Sequence, residues 1–166
     1  TKEDQSEGFL EGILKTTQDL SLVSTIIHGT TVATNALLER KGAKTGIITT
    51  KGFRDVLEMR RRDRPKTWGL WGTFAPVVER KNRLEVSERT LADGTVRVSV
   101  DEKEVENCAK ILMENGCSAV CLFFINGYAN SENEKRAAKV LRSIWPNNHV
   151  SIATEILPEI REFERC

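Results

Sequence analysis

His28, Gly29, Thr30 and Thr31 stand in a row, and Asn35 follows one helical turn after Thr31. Hydroxyl groups and backbone N–H groups converging on one point suit a phosphate or a carboxylate. An imidazole on the lip of such a turn gives or takes a proton near neutral pH. The apolar run Leu22 to Ile27 reads as a strand entering the turn, and Thr31 to Arg40 reads as a helix leaving it. His28 and Asn35 are therefore the candidate catalytic groups, with Gly29, Thr30 and Thr31 as phosphate or substrate binders. The same residues also fit a plain strand-to-helix connection, with Gly29 making the turn, Thr31 capping the helix and Asn35 solvated.

A second set, Arg60-Arg61-Arg62-Asp63-Arg64, offers guanidinium groups that match phosphates or carboxylates bidentately. Arg60 and Arg62 are the candidate charge-neutralising residues. A solvated face or an interface is the alternative for this run. Trp68 and Trp71 beside it suit stacking on a planar ligand, or anchoring of the loop on the core or on a partner chain. Glu155, Glu159, Glu162 and Arg165 crowd the C-terminal end, where spacing alone supports no acid/base assignment. Neither a G-x-x-x-x-G-K-[ST] nor a G-x-G-x-x-G motif is present. No spacing of His, Cys, Asp and Glu points to a metal, and His149 reads as a surface residue.

The elements that must position these groups follow from periodicity. Phe9, Leu10, Ile13 and Leu14 form the stripe of a first helix, capped by Asp4 or Ser6. The helix after Thr31 is expected to bury Val32, Ala33, Ala36 and Leu37 and to stop at Gly42. Thr45 to Thr50 reads as a strand, and Gly52 to Arg60 as a short helix with Phe53, Val56 and Leu57 on one face. Residues 61–80 hold no period and read as a long loop. Leu84–Leu91 and Thr95–Val100 around Asp93-Gly94 read as a hairpin. Asp101 with Glu104, and Ser131 with Glu134, read as capping boxes for two helices. The first of these helices carries Val105, Cys108, Ala109 and Leu112 and ends at Asn115-Gly116. The second carries Ala137, Ala138, Leu141, Ile144 and Trp145. The continuous apolar run Ala119 to Ile125 suits a strand covered on both faces, and Val150 to Leu157 is a last strand. Helices alternating with strands give an α/β fold, a mainly parallel sheet with one inserted β-hairpin. The hairpin marks a sub-boundary near residue 80 or residue 101.

With 166 residues the chain is about one domain long. Its net charge of +1 gives no bulk attraction to nucleic acid or to an anionic membrane surface. No apolar run approaches the ~20 residues of a membrane span. Cys108, Cys117, Cys121 and Cys166 form no C-x-x-C pair, which suits reduced thiols in a cytoplasmic protein. The start at Thr1-Lys2-Glu3-Asp4, without an initiator Met, and the end at Phe163-Glu164-Arg165-Cys166 suggest a fragment of a longer chain.

Several separated blocks resemble the N-terminal region of the hydantoinase A/5-oxoprolinase family. They are His28 to Arg40, Thr45 to Glu58, Gly127-Tyr128-Ala129-Asn130, and Glu155 to Arg165. The likeness covers nearly the whole chain. It implies an RNase H-like core similar to the actin-like ATPases. The family holds ATP-dependent N-methylhydantoinases and 5-oxoprolinases, and subunits of acetone and acetophenone carboxylases. The implied chemistry is activation of a carbonyl oxygen by phosphate, with ATP and Mg2+ as cofactors and a lactam, imide or ketone as substrate. The implied partners are a hydantoinase B-type subunit and further copies of the chain. The resemblance also implies a Gly-rich phosphate loop ahead of residue 1, so the piece is expected to be inactive by itself. The Arg-Arg-Asp-Arg-Pro and Trp-Gly-Leu-Trp stretch leans toward the ketone carboxylases. A non-catalytic α/β module whose Arg/Trp loop binds a partner chain is the reading from a different class.

Overall fold

The computed structural model describes residues 5–17, 19–61 and 75–166. The chain forms two compact units, one reaching to Glu39 and the other running Arg40–Cys166.

The first unit holds helix α1 (Gln5–Thr16), a 3-10 turn at Leu20–Leu22 and helix α2 (Val32–Leu38). The Asp19 carboxylate caps the 3-10 turn, accepting from the Ser21 N–H at 2.9 Å and the Ser21 hydroxyl at 2.7 Å. None of the described side chains of this unit is buried. The expected strand over Leu22 to Ile27 is not formed. A strand needs a neighbour for its N–H and C=O groups, and among the described residues of this unit there is no paired strand. Leu22 is 79% exposed and Ile27 94%. The α2 stripe is likewise open: Val32, Ala33 and Leu37 are exposed and Ala36 is half-buried, against the expectation of burial. The helix ends at Leu38 rather than at Gly42, and Arg40 turns the chain with φ 53.

The second unit is built on four parallel strands: β1 (Thr45–Thr50), β2 (Arg83–Val86), β5 (Ala119–Phe123) and β6 (Val150–Ile152). Their order across the sheet is β2-β1-β5-β6. A separate pair, β3 (Arg89–Thr90) and β4 (Val96–Val98), is antiparallel. From β1 the chain goes one way to β2 through α3 (Val56–Met59). It then goes the other way to β5 through α4 (Glu102–Glu114), and on to β6 through α5 (Glu132–Ile144). Crossovers of one hand must then put α3 on one face of the sheet and α4 and α5 on the other. The side chains agree. Ile48, Leu122, Phe124 and Ile152 pack with Val105, Ala109, Leu112, Ala137 and Leu141. Phe123, Ile125 and Ala153 pack with Phe53 and Val56.

Helix α4 buries Val105, Cys108, Ala109 and Leu112, as its spacing predicts. Each large aliphatic side chain so buried contributes about 1.5–3 kcal/mol. Gly46 lets α4 approach β1, because a Cβ there would lie 2.6 Å from Leu112 Cδ1.

Four expectations change. Leu84 to Leu91 is not one hairpin arm: Arg83–Val86 joins the parallel sheet, and only Arg89–Thr90 turns back through Asp93-Gly94 to β4. The run divides at Ser87 and Glu88, whose polar groups are drawn inward. Gly94 has φ 85, and Asp93 Oδ1 accepts from the Thr95 N–H, so the turn itself is as expected. Neither capping box closes. Asp101 caps α4, but Glu104 accepts instead from the Ser87 N–H at 2.5 Å and the Ser87 hydroxyl at 3.1 Å. Ser131 makes no side-chain cap, and Glu134 reaches into the protein. Lastly, β6 stops at Ile152 and Ala153–Ile156 is a short helix, α6, because Thr154 turns inward to Glu134. A final turn, α7, spans Glu162–Arg165. Among the described residues no helix is long and apolar enough to cross a membrane.

Candidate functional site

Residues 23–31 carry no regular structure and deliver His28 to Thr31 into the start of α2. Gly29 does not have a positive φ, and a Cβ added there would meet nothing within 4 Å. Its backbone is open to an approaching ligand rather than strained into a tight turn. Thr31 occupies the cap position of α2 but makes no side-chain cap. Thr30 Oγ1 does that work, accepting from the Val32 N–H at 3.3 Å. Thr31 Oγ1 accepts from Asn35 Nδ2, also at 3.3 Å. A hydroxyl oxygen that accepts an N–H keeps its own proton to donate. Both threonines therefore still offer a donor to an anion, and Asn35 is left with Oδ1 to orient a ligand. The His28 ring lies tilted against Phe9 of α1, with centroids 4.2 Å apart. That contact ties the turn to the first helix and leaves the imidazole exposed.

Thr31 and Asn35 are thus joined directly, and His28 is held by Phe9. Arg60 belongs to the second unit, at the end of α3, half-buried and with φ 51. Arg62, Trp68 and Trp71 lie outside the described residues. Among the described residues no group of three or more His, Cys, Asp and Glu side chains could hold a metal ion. The four cysteines are free thiols. Burial pushes Cys108 and Cys121 up to about 11 and Cys166 up to about 12. These three are protonated at neutral pH and are poor nucleophiles.

Motif reading missed three buried polar groups, two of which, Glu88 and Glu134, lie near the carboxyl ends of the strands. Glu88 is buried and accepts from the Thr50 hydroxyl and from Asn133 Nδ2, the latter at 2.8 Å. Burial raises its carboxyl above the usual glutamate range, against the two hydrogen bonds. Glu134, also buried, accepts from the Phe124 N–H at 2.9 Å, the Thr154 N–H at 3.3 Å and the Thr154 hydroxyl. Burial raises this carboxyl too. Arg83 is buried on the other face, where Nη2 donates to Glu58 at 2.7 Å and Nη1 to the Arg54 carbonyl at 3.1 Å. The only sequence signal for these groups was a Glu in a capping position, which pointed to a surface role.

The family model of the hydantoinase/oxoprolinase N-terminal region matches residues 1–145. The chain is 32% identical to caprolactamase subunit alpha of Pseudomonas jessenii over 84% of its length, which is 20% of that protein. It is 27% identical to the acetophenone carboxylase gamma subunit of Aromatoleum aromaticum, over 99% of this chain and 26% of the other. The crystal structure of the ATP-dependent caprolactamase from Pseudomonas jessenii superposes with a TM-score of 0.82 at 27% identity. It covers 99% of this chain and 26% of that one. The chain thus spans about a quarter or less of the length of these relatives. The matched region takes in both units and every candidate residue up to Arg62, and the chain belongs to the hydantoinase/oxoprolinase N-terminal region family.

Proposed function

We propose that the chain is part of an ATP-dependent enzyme that opens cyclic amides of the hydantoin or oxoproline kind, with the His28–Thr31 turn as one wall of the site. The observation that carries this reading is the superposition of nearly the whole chain on an ATP-dependent caprolactamase. A lactam carbonyl is a poor electrophile, and its oxygen is a poor leaving group. Transfer of a phosphoryl group from ATP to this oxygen opens the carbon to attack by water, so that the ring nitrogen leaves first and the phosphorylated oxygen leaves when a second water attacks. The Gly29 N–H and the hydroxyls of Thr30 and Thr31 hold phosphate oxygens. Asn35, set by its bond to Thr31, orients the ligand. His28 gives or takes a proton at the reacting oxygen. Arg60 and Arg62, in a different part of the chain, are the candidates for offsetting negative charge in the intact enzyme. Mg2+ enters with the nucleotide, a hydantoinase B-type subunit and further copies of the chain complete the assembly, and the assembly works in the cytoplasm.

A ketone carboxylase subunit is the second reading, favoured by the match of almost the entire chain to the acetophenone carboxylase gamma subunit. ATP consumption by the intact enzyme separates the two. Turnover with a lactam alone supports the amidase. Turnover that needs both a ketone and bicarbonate supports the carboxylase and overturns the first reading.

A further inference from the structure

Arg165 is buried at the carboxyl edge of the parallel sheet, the edge where open α/β sheets take their ligands. Its guanidinium lies over the rings of Phe123 and Tyr128, 5.3 Å from each centroid. Nη2 donates to the Phe124 carbonyl at 3.1 Å and to the Glu162 carboxylate, and Nη1 to the Glu159 carbonyl at 3.4 Å. Nε of the same group is buried with no partner. Just past the end of β5, Asn126 has φ 59, and its N–H donates to Glu162 Oε1 at 3.0 Å. Asn126 Nδ2 fixes that turn on the Thr90 carbonyl at 3.0 Å. A buried guanidinium with a spare donor, aromatic walls and a backbone N–H on a left-handed turn together make an anion pocket. Its occupant is the chain's own Glu162, whose side chain stays 27% exposed.

We propose that Arg165 and the Asn126 amide form an anion receptor, with the Glu162 carboxylate as its tethered ligand. A small external carboxylate or a phosphate competes for the same two donors. Removing the tether leaves Arg165 buried and short of its charge partner, so the vacated receptor takes up such an ion.

The test is hydrogen exchange across Ile125–Tyr128 in the intact enzyme, wild type against Glu162→Ala, with formate, acetate or inorganic phosphate at constant ionic strength. Chloride serves as the control. The variant is expected to exchange at least about tenfold faster at Asn126. Formate, acetate or phosphate restores protection in the variant and leaves the wild type unchanged. Formate acting alone marks a carboxylate-sized receptor, and phosphate acting as well marks a wider one. If Glu162→Ala fails to fold, Glu162→Ser, whose side chain is too short to reach the two donors, shows the same anion response. A variant that exchanges like wild type, or that stays unprotected in all three anions, overturns the proposal.

Discussion

Glu88 and Asn133 meet inside the second unit, with Asn133 Nδ2 donating to Glu88 Oε2 at 2.8 Å. The same Asn133 amide donates to the Val98 carbonyl, and its Oδ1 accepts from the Val100 N–H, each at 3.0 Å. Glu88 takes the Thr50 hydroxyl as well, and Thr50 Oγ1 accepts from the Ile125 N–H at 3.0 Å. One buried network therefore links β1, β4, the start of α5 and the residues following β5. Asn133→Ala leaves the Val100 N–H and Glu88 Oε2 without their partners. A loss of about 2–4 kcal/mol is expected, since each buried unsatisfied group costs about 1–3 kcal/mol. Urea unfolding measures it.

The same burial makes stability depend on pH. The Glu88 and Glu134 carboxyls are raised above the ordinary value of 4.5. Between that value and the folded one, the folded protein holds more protons than the unfolded chain. Their contribution is complete below the unfolded value and is lost as pH rises through the folded value. Glu88→Gln removes this titration, so its stability deficit relative to wild type shrinks as pH rises from about 4 to about 8. A deficit that grows over the same range, in parallel urea titrations, contradicts the direction given for Glu88.

Gly127 is required by Glu134 rather than by its own turn. A Cβ at residue 127 would lie 2.6 Å from Glu134 Oε1, and Glu134 is pinned by Phe124 and Thr154. Gly127→Ala is expected to cost about 1–3 kcal/mol, as overpacking does. Thermal unfolding with and without Glu134→Ala separates the clash from a loss of turn freedom. In the first case the second substitution relieves part of the penalty, and in the second it adds to it.

How much was legible before the structure follows from the same residues. Helix α4 was read correctly, because Val105, Cys108, Ala109 and Leu112 all face one core and the stripe alone fixes the helix. The strand Thr45–Thr50 was equally plain. Glu104 and Glu134 misled, since a Glu in the third helical position reads as a cap, yet both reach other elements. That choice depends on tertiary neighbours, which periodicity does not contain. Leu22 to Ile27 has strand composition but no paired neighbour. In the candidate site, Thr31 and Asn35 were legible as a pair one turn apart. The His28 contact with Phe9 was not, because nothing in the spacing joins α1 to the turn.

The Thr31 hydroxyl is expected to act through ligand binding and not through stability, whereas the Thr30 hydroxyl also caps α2. Both residues are exposed. Thr31→Val in the intact enzyme should leave the melting temperature unchanged and raise the KM for ATP or for the cyclic amide. Removal of one hydrogen bond to a charged group costs about 1.5–3 kcal/mol, or roughly tenfold to 150-fold in affinity. His28→Ala should lower kcat by about 10²–10⁴. Unchanged turnover at saturating substrate removes His28 from the chemistry.

Phosphate activation of a carbonyl oxygen leaves an isotopic record. The intact enzyme would be given ATP and a cyclic amide labelled with 18O at its carbonyl, and the inorganic phosphate analysed by mass spectrometry. Transfer of the γ-phosphoryl group to that oxygen, attack of water at the carbon with expulsion of the ring nitrogen, and attack of a second water at the carbon of the resulting acyl phosphate with cleavage of its C–O bond carry one 18O into each phosphate. The proposed function predicts that transfer, one label per ring opened. Unlabelled phosphate, with all the 18O kept in the product carboxylate, contradicts it.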